Sequence, residues 1–185
     1  MRIISGKNKG KKITPPINKN TRPLRDIVKE SIFNLIEHSN KLDVVLKNAN
    51  ILDLFSGSGS FGLESISRGA ANVVFVESYF EALKVLKKNI SSIEAGKISK
   101  VIEIDCFDYF KLRKKTEKFN IIFLDPPYKE KKINFLIEKI KEEKILDKNG
   151  VFIIHRHKKD NIEITKKLKI IEQRFYGISK IIIGN

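Results

Sequence analysis

Residues 125 to 128, Asp125-Pro126-Pro127-Tyr128, place a carboxylate, two prolines and an aromatic ring side by side. Each proline fixes φ near about −65° and lacks an N–H, so this turn is stiff and its carbonyls are not used by an ordinary helix start. Acceptors beside a flat ring suit a planar substrate with an exocyclic amine, because the acceptors take the N–H hydrogens and the ring stacks on the base. These four residues are the predicted catalytic set. The alternative interpretation is a surface turn after a core strand.

A glycine-rich stretch between Asn50 and Glu64 leads from a short apolar run into a helical pattern. Gly57, Gly59 and Gly62 match the spacing G-x-G-x-x-G, which lets the backbone approach a ligand closely at the start of a helix. On its own, this match fits NAD, another nucleoside cofactor, or merely a tight turn between a strand and a helix.

Acidic residues at the ends of successive predicted strands narrow these alternatives. Glu77 follows the first glycine by about 20 residues, as expected for a carboxylate that binds ribose hydroxyls. A dinucleotide pyrophosphate needs bare glycine amides, whereas Asp53 suits a cationic group such as an amino-acid ammonium, so the pattern favours S-adenosylmethionine over NAD. Cys106 and Phe107 are expected to line the adenine pocket. The predicted cofactor-binding residues are Asp53, Phe55, Gly57, Ser58, Gly59, Glu77, Ser78, Asp105, Cys106 and Phe107.

These residues require an α/β sheet whose strands alternate with helices. The apolar run before Asp125 predicts a central strand buried on both faces, and ligands of open α/β sheets bind at the carboxyl ends of such strands. An amphipathic helix is predicted over residues 24–38. The predicted strands are 50–55, 72–77, 101–105, 120–125 and 150–154, with 169–173 and 179–183 as a closing pair.

The charge is uneven along the chain. With 37 basic and 22 acidic residues, the formal net charge of +15 favours a polyanionic partner. Residues 1–25 contain eight basic side chains and no acidic one, whereas residues 49–128 contain eleven basic and ten acidic ones. A lysine-rich composition accounts for scattered charge more readily than for an acid-free opening. The predicted RNA-binding residues are Arg2, Lys7, Lys9, Lys11, Lys12, Arg22 and Arg25.

A chain of 185 residues predicts one catalytic domain with a small appendage. We expect a basic RNA-binding extension and lead-in helix over residues 1–45 and a catalytic domain over residues 46–185. The single cysteine excludes a disulfide framework, and the lack of clustered His and Cys spacing argues against a metal site. No signal-peptide run or membrane-length apolar segment is present, so a cytoplasmic protein is expected. We also expect a monomer.

Two sets of motifs resemble known enzymes. Asp125-Pro126-Pro127-Tyr128 resembles the signature of methyltransferases that act on the exocyclic nitrogen of adenine, cytosine or guanine. The family resemblance covers nearly the whole chain and is to the bacterial 16S rRNA (guanine-N2)-methyltransferases. It is carried by residues 1–7, 9–12, 21–23, 28–34 and 52–59, by the same Asp125-Pro126-Pro127-Tyr128 and by Tyr176-Gly177.

This resemblance implies a Rossmann-like class I methyltransferase fold, with a seven-stranded, mostly parallel sheet, an antiparallel last hairpin and helices on both faces. It also implies transfer of a methyl group from S-adenosylmethionine to N2 of a guanine in small-subunit ribosomal RNA, without a metal. One departure is His155-Arg156-His157, where an acidic residue is expected at the strand end; the histidines are interpreted as surface residues.

Three other functions stay open from the residues alone. A DNA adenine-N6 or cytosine-N4 methyltransferase usually needs a separate target-recognition segment. A non-catalytic basic RNA-binding domain leaves Asp53, Glu77 and Asp125 unexplained. A nicotinamide oxidoreductase leaves the Asp-Pro-Pro-Tyr sequence unexplained.

Overall fold

A single seven-stranded sheet organises the protein in a computed structural model that describes residues 1–15, 24–113, 116–160, 164 and 167–185. Its order is β3-β2-β1-β4-β5-β7-β6, in which β1 to β5 pair in parallel and β7 is antiparallel to both neighbours. The predicted mostly parallel sheet with a closing antiparallel hairpin is therefore confirmed. The strands are β1 (Asn50–Leu54), β2 (Asn72–Val76), β3 (Ser99–Ile102), β4 (Phe119–Leu124), β5 (Leu146–His157), β6 (Ile170–Tyr176) and β7 (Ser179–Gly184).

Helices fill the connections between strands. All seven strands differ from their predicted bounds by one residue or more, and three of them differ by three residues at the carboxyl end. Strand β3 ends at Ile102 because β2, with which it pairs, ends at Val76. Strands β5 and β6 continue to His157 and Tyr176 because β7 pairs with both as far as Ser179. The helices are α1 (Asp26–His38), α2 (Ser60–Ser67), α3 (Phe80–Ser92), α4 (Tyr109–Leu112) and α5 (Ile133–Glu142).

Alternate residues of the central strands face two separate hydrophobic layers. In β4, Ile121 and Phe123 belong to the cluster that contains α1 and α2, whereas Ile122 and Leu124 belong to the cluster that contains α5. This period-two pattern on a doubly covered strand explains the continuous apolar sequence. By the same alternation, Asp125 follows Phe123 on the α2 side of the sheet.

The first 13 residues fold back on themselves and pack on α2. Arg2 forms an antiparallel bridge with Lys12, and Ile3 N donates to Lys11 O at 2.9 Å. Ile3 and Ile13 are buried in the same hydrophobic cluster as the central strands. The basic opening, which we call the N-terminal arm (residues 1–13), thus shares the core of the sheet.

A buried carboxylate anchors this arm. Glu64 on α2 accepts hydrogen bonds from Ile4 N at 2.7 Å and Ser5 N at 3.0 Å. The same carboxylate pairs with Arg68 at 2.8 Å and with Lys29 of α1 at 3.6 Å. One side chain therefore links the arm, α1 and α2.

Candidate active site

The strand order places a crevice between β1 and β4. The chain leaves β1 toward β2 and β3 and then returns to β4 on the other side, so the loops after β1 and β4 separate at their carboxyl ends. Ligands of open α/β sheets bind at such a switch point. The strands themselves stay paired up to this point, since Asp125 N donates to Leu54 O at 3.4 Å.

Asp53 lies at the floor of this crevice with only 1% of its surface exposed. Its Oδ2 accepts a hydrogen bond from Gly62 N of α2 at 3.0 Å. Burial raises the pKa of the Asp53 carboxyl well above its usual range; the Gly62 amide opposes this shift, and the charges of Asp125 and Glu77 add to it. Asp53 is therefore the most deeply buried of three neighbouring acids, Asp53, Glu77 and Asp125.

Glu77 follows β2, and backbone amides hold its carboxylate in place. Oε2 accepts from Gly57 N at 2.8 Å, and Oε1 accepts from Ser78 N at 2.9 Å and Tyr79 N at 2.8 Å. The acid thus joins the loop after β2 to the glycine-rich loop after β1. A ribose that binds Glu77 must share or replace these amide contacts, which a carboxylate with several lone pairs permits.

The three glycines of the G-x-G-x-x-G sequence are each needed for a structural reason, and the reasons differ. Gly57 and Gly59 adopt φ values of +54° and +78°, which disfavour other residues. Gly62 has no such need, but a Cβ there would lie 2.2 Å from Phe75 Cε1, so its absence lets α2 pack on β2. Asn89 of α3 donates to Ser58 O at 2.9 Å and fixes the loop from the side.

Aromatic rings border the far side of the predicted adenine pocket. The Phe107 ring lies 6.2 Å from Phe55 and 6.1 Å from Phe135 of α5. Cys106 is buried beside them, and burial raises the pKa of its thiol, so it remains protonated and unreactive. Asp105 is exposed and accepts from Phe107 N at 2.8 Å, which caps the turn after β3.

Asp125 sits at the mouth of the crevice, with 19% of its side chain exposed. Its Oδ1 lies 2.8 Å from His155 Nδ1. Pro126 is buried, Pro127 is exposed, and Tyr128 is partly exposed. The four predicted catalytic residues are therefore contiguous in space with the acids of the predicted cofactor site, but they have a partner that the sequence interpretation placed at the surface.

The interpretation of His155 and His157 as surface residues was wrong for His155, which is buried. The neighbouring Arg156 is also buried and donates to Pro127 O at 3.2 Å, Tyr128 O at 3.1 Å and Glu130 O at 3.0 Å. The Tyr128 ring packs edge-on against His157 at 5.1 Å. The length of β5 is the feature that the sequence interpretation missed. Its last three residues, 155–157, extend this strand as far as the loop of residues 125–128.

The predicted RNA-binding residues fall into two groups. Arg22 lies outside the described residues. The other six are all exposed, five of them on the N-terminal arm and Arg25 at the start of α1: Arg2, Lys7, Lys9, Lys11, Lys12 and Arg25. The arm ends close to the cofactor loop, because Asn89 Nδ2 donates to Thr14 O at 3.0 Å as well as to Ser58 O.

The three neighbouring acids, Asp53, Glu77 and Asp125, fit the chemistry of S-adenosylmethionine. Asp53, Glu77 and Asp125 are mutually repulsive, and no lysine or arginine of the described residues forms an ion pair with any of them. A cofactor with a sulfonium and an ammonium group supplies the missing positive charge. Asp53 is suited to the ammonium, Glu77 to the ribose, and the rings around Phe107 to the adenine.

The part of the chain that the structure describes contains neither a membrane-spanning helix nor a metal-binding cluster. No helix there is long and apolar enough to cross a membrane. No cluster of three or more His, Cys, Asp or Glu side chains with the arrangement of a metal site occurs among the same residues.

Comparison with known proteins gives the family. The whole chain, residues 1–185, matches the family model Cons_hypoth95, described as Conserved hypothetical protein 95. The chain belongs to this family. Cons_hypoth95 membership and the relatives described next confirm the family resemblance read from the sequence motifs.

Relatives of this Cons_hypoth95 protein span nearly its full length. The Bacillus subtilis protein named "Putative rRNA methyltransferase YlbH" is 36% identical, with 99% of this chain and 97% of the relative covered. "Ribosomal RNA small subunit methyltransferase D" of Buchnera aphidicola subsp. Acyrthosiphon pisum is 31% identical over 93% of this chain and 86% of the relative. The solved structure titled "Putative methyltransferase yhhF" from Escherichia coli superposes with a TM-score of 0.82 at 25% identity, covering 100% of this chain and 96% of that one. The class I methyltransferase fold is thereby confirmed.

Proposed function

We propose that this protein transfers a methyl group from S-adenosylmethionine to the exocyclic N2 of a guanine in small-subunit ribosomal RNA. The predicted class, an rRNA methyltransferase, is confirmed by the family and its named relatives, and its methyl donor is S-adenosylmethionine. The carrying observation is the placement of the Asp125 loop across the switch point from Asp53, so that an amine acceptor and a cation site share one crevice. The proposal includes a cytoplasmic monomer that uses no metal.

The chain's contribution to the reaction is alignment. The amine lone pair of guanine N2 is delocalised into the ring and becomes nucleophilic only when its hydrogens are held out of the plane. The Asp125 carboxylate and the Pro126 carbonyl accept those two hydrogens, and Tyr128 stacks on the extruded base. Bound S-adenosylmethionine supplies a methyl group on a sulfonium sulfur, which keeps the electron pair of the broken C–S bond.

Asp125 also accepts the proton that the amine loses after methyl transfer. The nitrogen forms the new C–N bond with its own lone pair and becomes positively charged, so one of its hydrogens turns strongly acidic. The Asp125 carboxylate already accepts that hydrogen and is positioned to take the proton, which passes on to solvent from this partly exposed side chain. The buried thiol of Cys106 has no part in these steps.

The direct test is transfer of a labelled methyl group from S-adenosylmethionine to RNA. Naked 16S rRNA and small-subunit particles from cells that lack the gene serve as separate substrates, and duplex DNA serves as the control. We expect label in RNA only, at N2 of one guanine when the product nucleoside is mapped. Label in DNA, or on a different base, would overturn the proposal.

Asp125 and Tyr128 give the matched variants. Asp125→Ala should lower kcat by about 10² to 10⁴, with little change in cofactor affinity, because the lost group acts on the amine and not on the cofactor. Tyr128→Phe should be mild and Tyr128→Ala severe, because the face of the ring matters more than its hydroxyl. A near-normal single-turnover rate for Asp125→Ala would make the loop a structural turn.

The same proposal assigns residues 1–45 to RNA contact and residues 46–185 to catalysis. Replacing Lys7, Lys9, Lys11 and Lys12 by Ala should flatten the salt dependence of RNA binding, since each lost phosphate contact removes about 0.7 to 0.9 from the log–log slope. A matched control replaces four exposed lysines beside the amino ends of the strands, namely Lys97, Lys144, Lys148 and Lys169. Equal slopes for the arm variant and the wild type would exclude the arm from the interface.

A further inference from the structure

The carboxyl end of β5 reaches the catalytic loop through three successive side chains. His155 lies on the α2 side of the sheet with Asp125, and the alternation of the strand sends Arg156 to the opposite side, where it bonds the carbonyls of residues 127–130. His157 returns to the first side and packs on Tyr128. Of these contacts, only that of His155 is made to the Asp125 carboxylate, whose oxygens are proposed to bind the substrate amine.

The His155 ring is held at both nitrogens. Nδ1 lies 2.8 Å from Asp125 Oδ1, and Nε2 lies 2.9 Å from Ser179 Oγ on β7. An ionised carboxylate can only accept, so Nδ1 carries a hydrogen; in the neutral ring Nε2 then accepts the hydroxyl hydrogen of Ser179. Asp125 thus fixes the tautomer, and Ser179 holds the other side of the ring at Nε2.

This chain of hydrogen bonds runs in the opposite direction from a hydrolase triad. In a Ser-His-Asp hydrolase the serine faces the substrate and the aspartate is buried behind the histidine. Here Ser179 is 4% exposed and Asp125 is 19% exposed at its side chain, so the carboxylate is the end that faces the crevice. The geometry therefore supports orientation of Asp125 and not nucleophilic attack by Ser179.

We propose that His155 is a positioning residue for methyl transfer, which fixes the Asp125 carboxylate through Oδ1 so that Oδ2 is held toward the substrate amine. This inference rests on the proposed function of Asp125. Without the histidine, the carboxylate at the end of β4 rotates about its Cβ–Cγ bond and holds the amine hydrogen in the required direction for only part of the time. Alignment of a reacting group is where a small displacement has a large effect on rate.

The test compares His155→Phe with His155→Asn. Phe fills the same space but has no donor, whereas the Asn amide nitrogen occupies about the place of Nδ1 and keeps the bond to Asp125. We expect His155→Phe to lower the single-turnover rate on RNA by about 10- to 100-fold, as for loss of an orienting partner, and His155→Asn to restore most of it. Dissociation constants for S-adenosylmethionine and RNA should change by less than about twofold in both, because neither ligand contacts the histidine.

Three further variants keep the result interpretable. His38, exposed in the last turn of α1, provides the control pair His38→Phe and His38→Asn, which should leave the single-turnover rate and both dissociation constants unchanged. If His155→Phe fails to fold, Ser179→Ala carries the test, since it removes the contact that holds the ring at Nε2 and should lower the rate while His155→Asn retains it.

The outcomes separate the two proposals. A wild-type protein that methylates no RNA overturns the proposed function itself. A wild-type enzyme that is active, with His155→Phe within about twofold of its rate or His155→Asn as slow as His155→Phe, overturns only the positioning role. Weaker cofactor binding and a lower melting temperature in parallel with the rate would mark a general structural role and would also refute it.

Discussion

Replacing Arg156 by Met should loosen the catalytic loop and destabilise the whole domain. The guanidinium is buried, forms an ion pair with Asp160 and donates to the carbonyls of residues 127, 128 and 130. Met fills a similar volume but removes the Arg156 hydrogen bonds to three carbonyls, of which that of Pro127 still accepts from Glu130 N, and it removes the ion pair with Asp160, whose side chain is 11% exposed. Breaking one side of a buried charged pair costs about 3 to 5 kcal/mol, and the same range is expected here.

Urea unfolding and calorimetry measure this loss directly. For a chain of this length each kcal/mol lowers Tm by about 2 to 4 °C, so Arg156→Met should melt roughly 6 to 20 °C below the wild type. Hydrogen exchange of the peptide over residues 125–132 should accelerate more than that of β1, because the clamp acts on this loop. Adding Asp160→Asn should recover part of the loss, since it removes the buried negative charge that Arg156 neutralised.

The matched control is Arg174→Met. Arg174 also forms an ion pair with a glutamate, but its side chain is 52% exposed on β6, so its loss should change the unfolding free energy by less than about 1 kcal/mol. If Arg156→Met behaved like this control, with unchanged exchange in the loop, the hydrogen bonds from Arg156 would not be what holds the loop in place.

Other predictions concern the crevice itself. The folded protein binds the Asp53 proton more tightly than the unfolded chain does, so stability from this group is fully present below its ordinary pKa of about 3.9 and is lost as the pH rises. Asp53→Asn should therefore gain unfolding free energy over the wild type progressively above about pH 4 in urea titrations, while it binds S-adenosylmethionine more weakly in calorimetry; parallel pH curves would contradict this. Gly62→Ala should destabilise by about 1 to 3 kcal/mol because its Cβ meets Phe75, whereas Gly96→Ala, which meets nothing within 4 Å, should be neutral in the same unfolding assay. The Cys106 thiol, whose pKa burial raises, should react slowly with a thiol reagent at pH 8 in the native state and rapidly in urea; equal rates would refute its burial.

The elements of the sheet could be predicted because their sequence signals are local. A doubly buried strand is apolar throughout, and Pro126 with Pro127 marks where β4 must end. The glycine spacing likewise located the turn into α2, since Gly57 and Gly59 require positive φ. Strand ends were less predictable, because β3 stops where its neighbour stops and β5 extends for as long as β7 pairs with it.

The partners of the catalytic loop could not be predicted in the same way. His155 is 30 residues from Asp125 in sequence, and its role depends on the parallel pairing of β4 with β5 and on Ser179 of a strand later still. Charge composition also gave no sign that Arg156, one of 37 basic residues, is buried. Only the long-range register of the sheet distinguishes these side chains from the solvated lysines around them.

The anchoring of the N-terminal arm has a consequence for how it can evolve. Glu64 holds the arm through the amides of Ile4 and Ser5, while the lysine side chains of the arm remain exposed. Attachment and charge are therefore carried by different atoms, so the number of lysines can change without releasing the arm. Because α2 fixes the position of the arm, the distance between the arm and the Asp125 loop is set by the fold. On the proposed function, an RNA bound at both places must match this distance or deform to reach it.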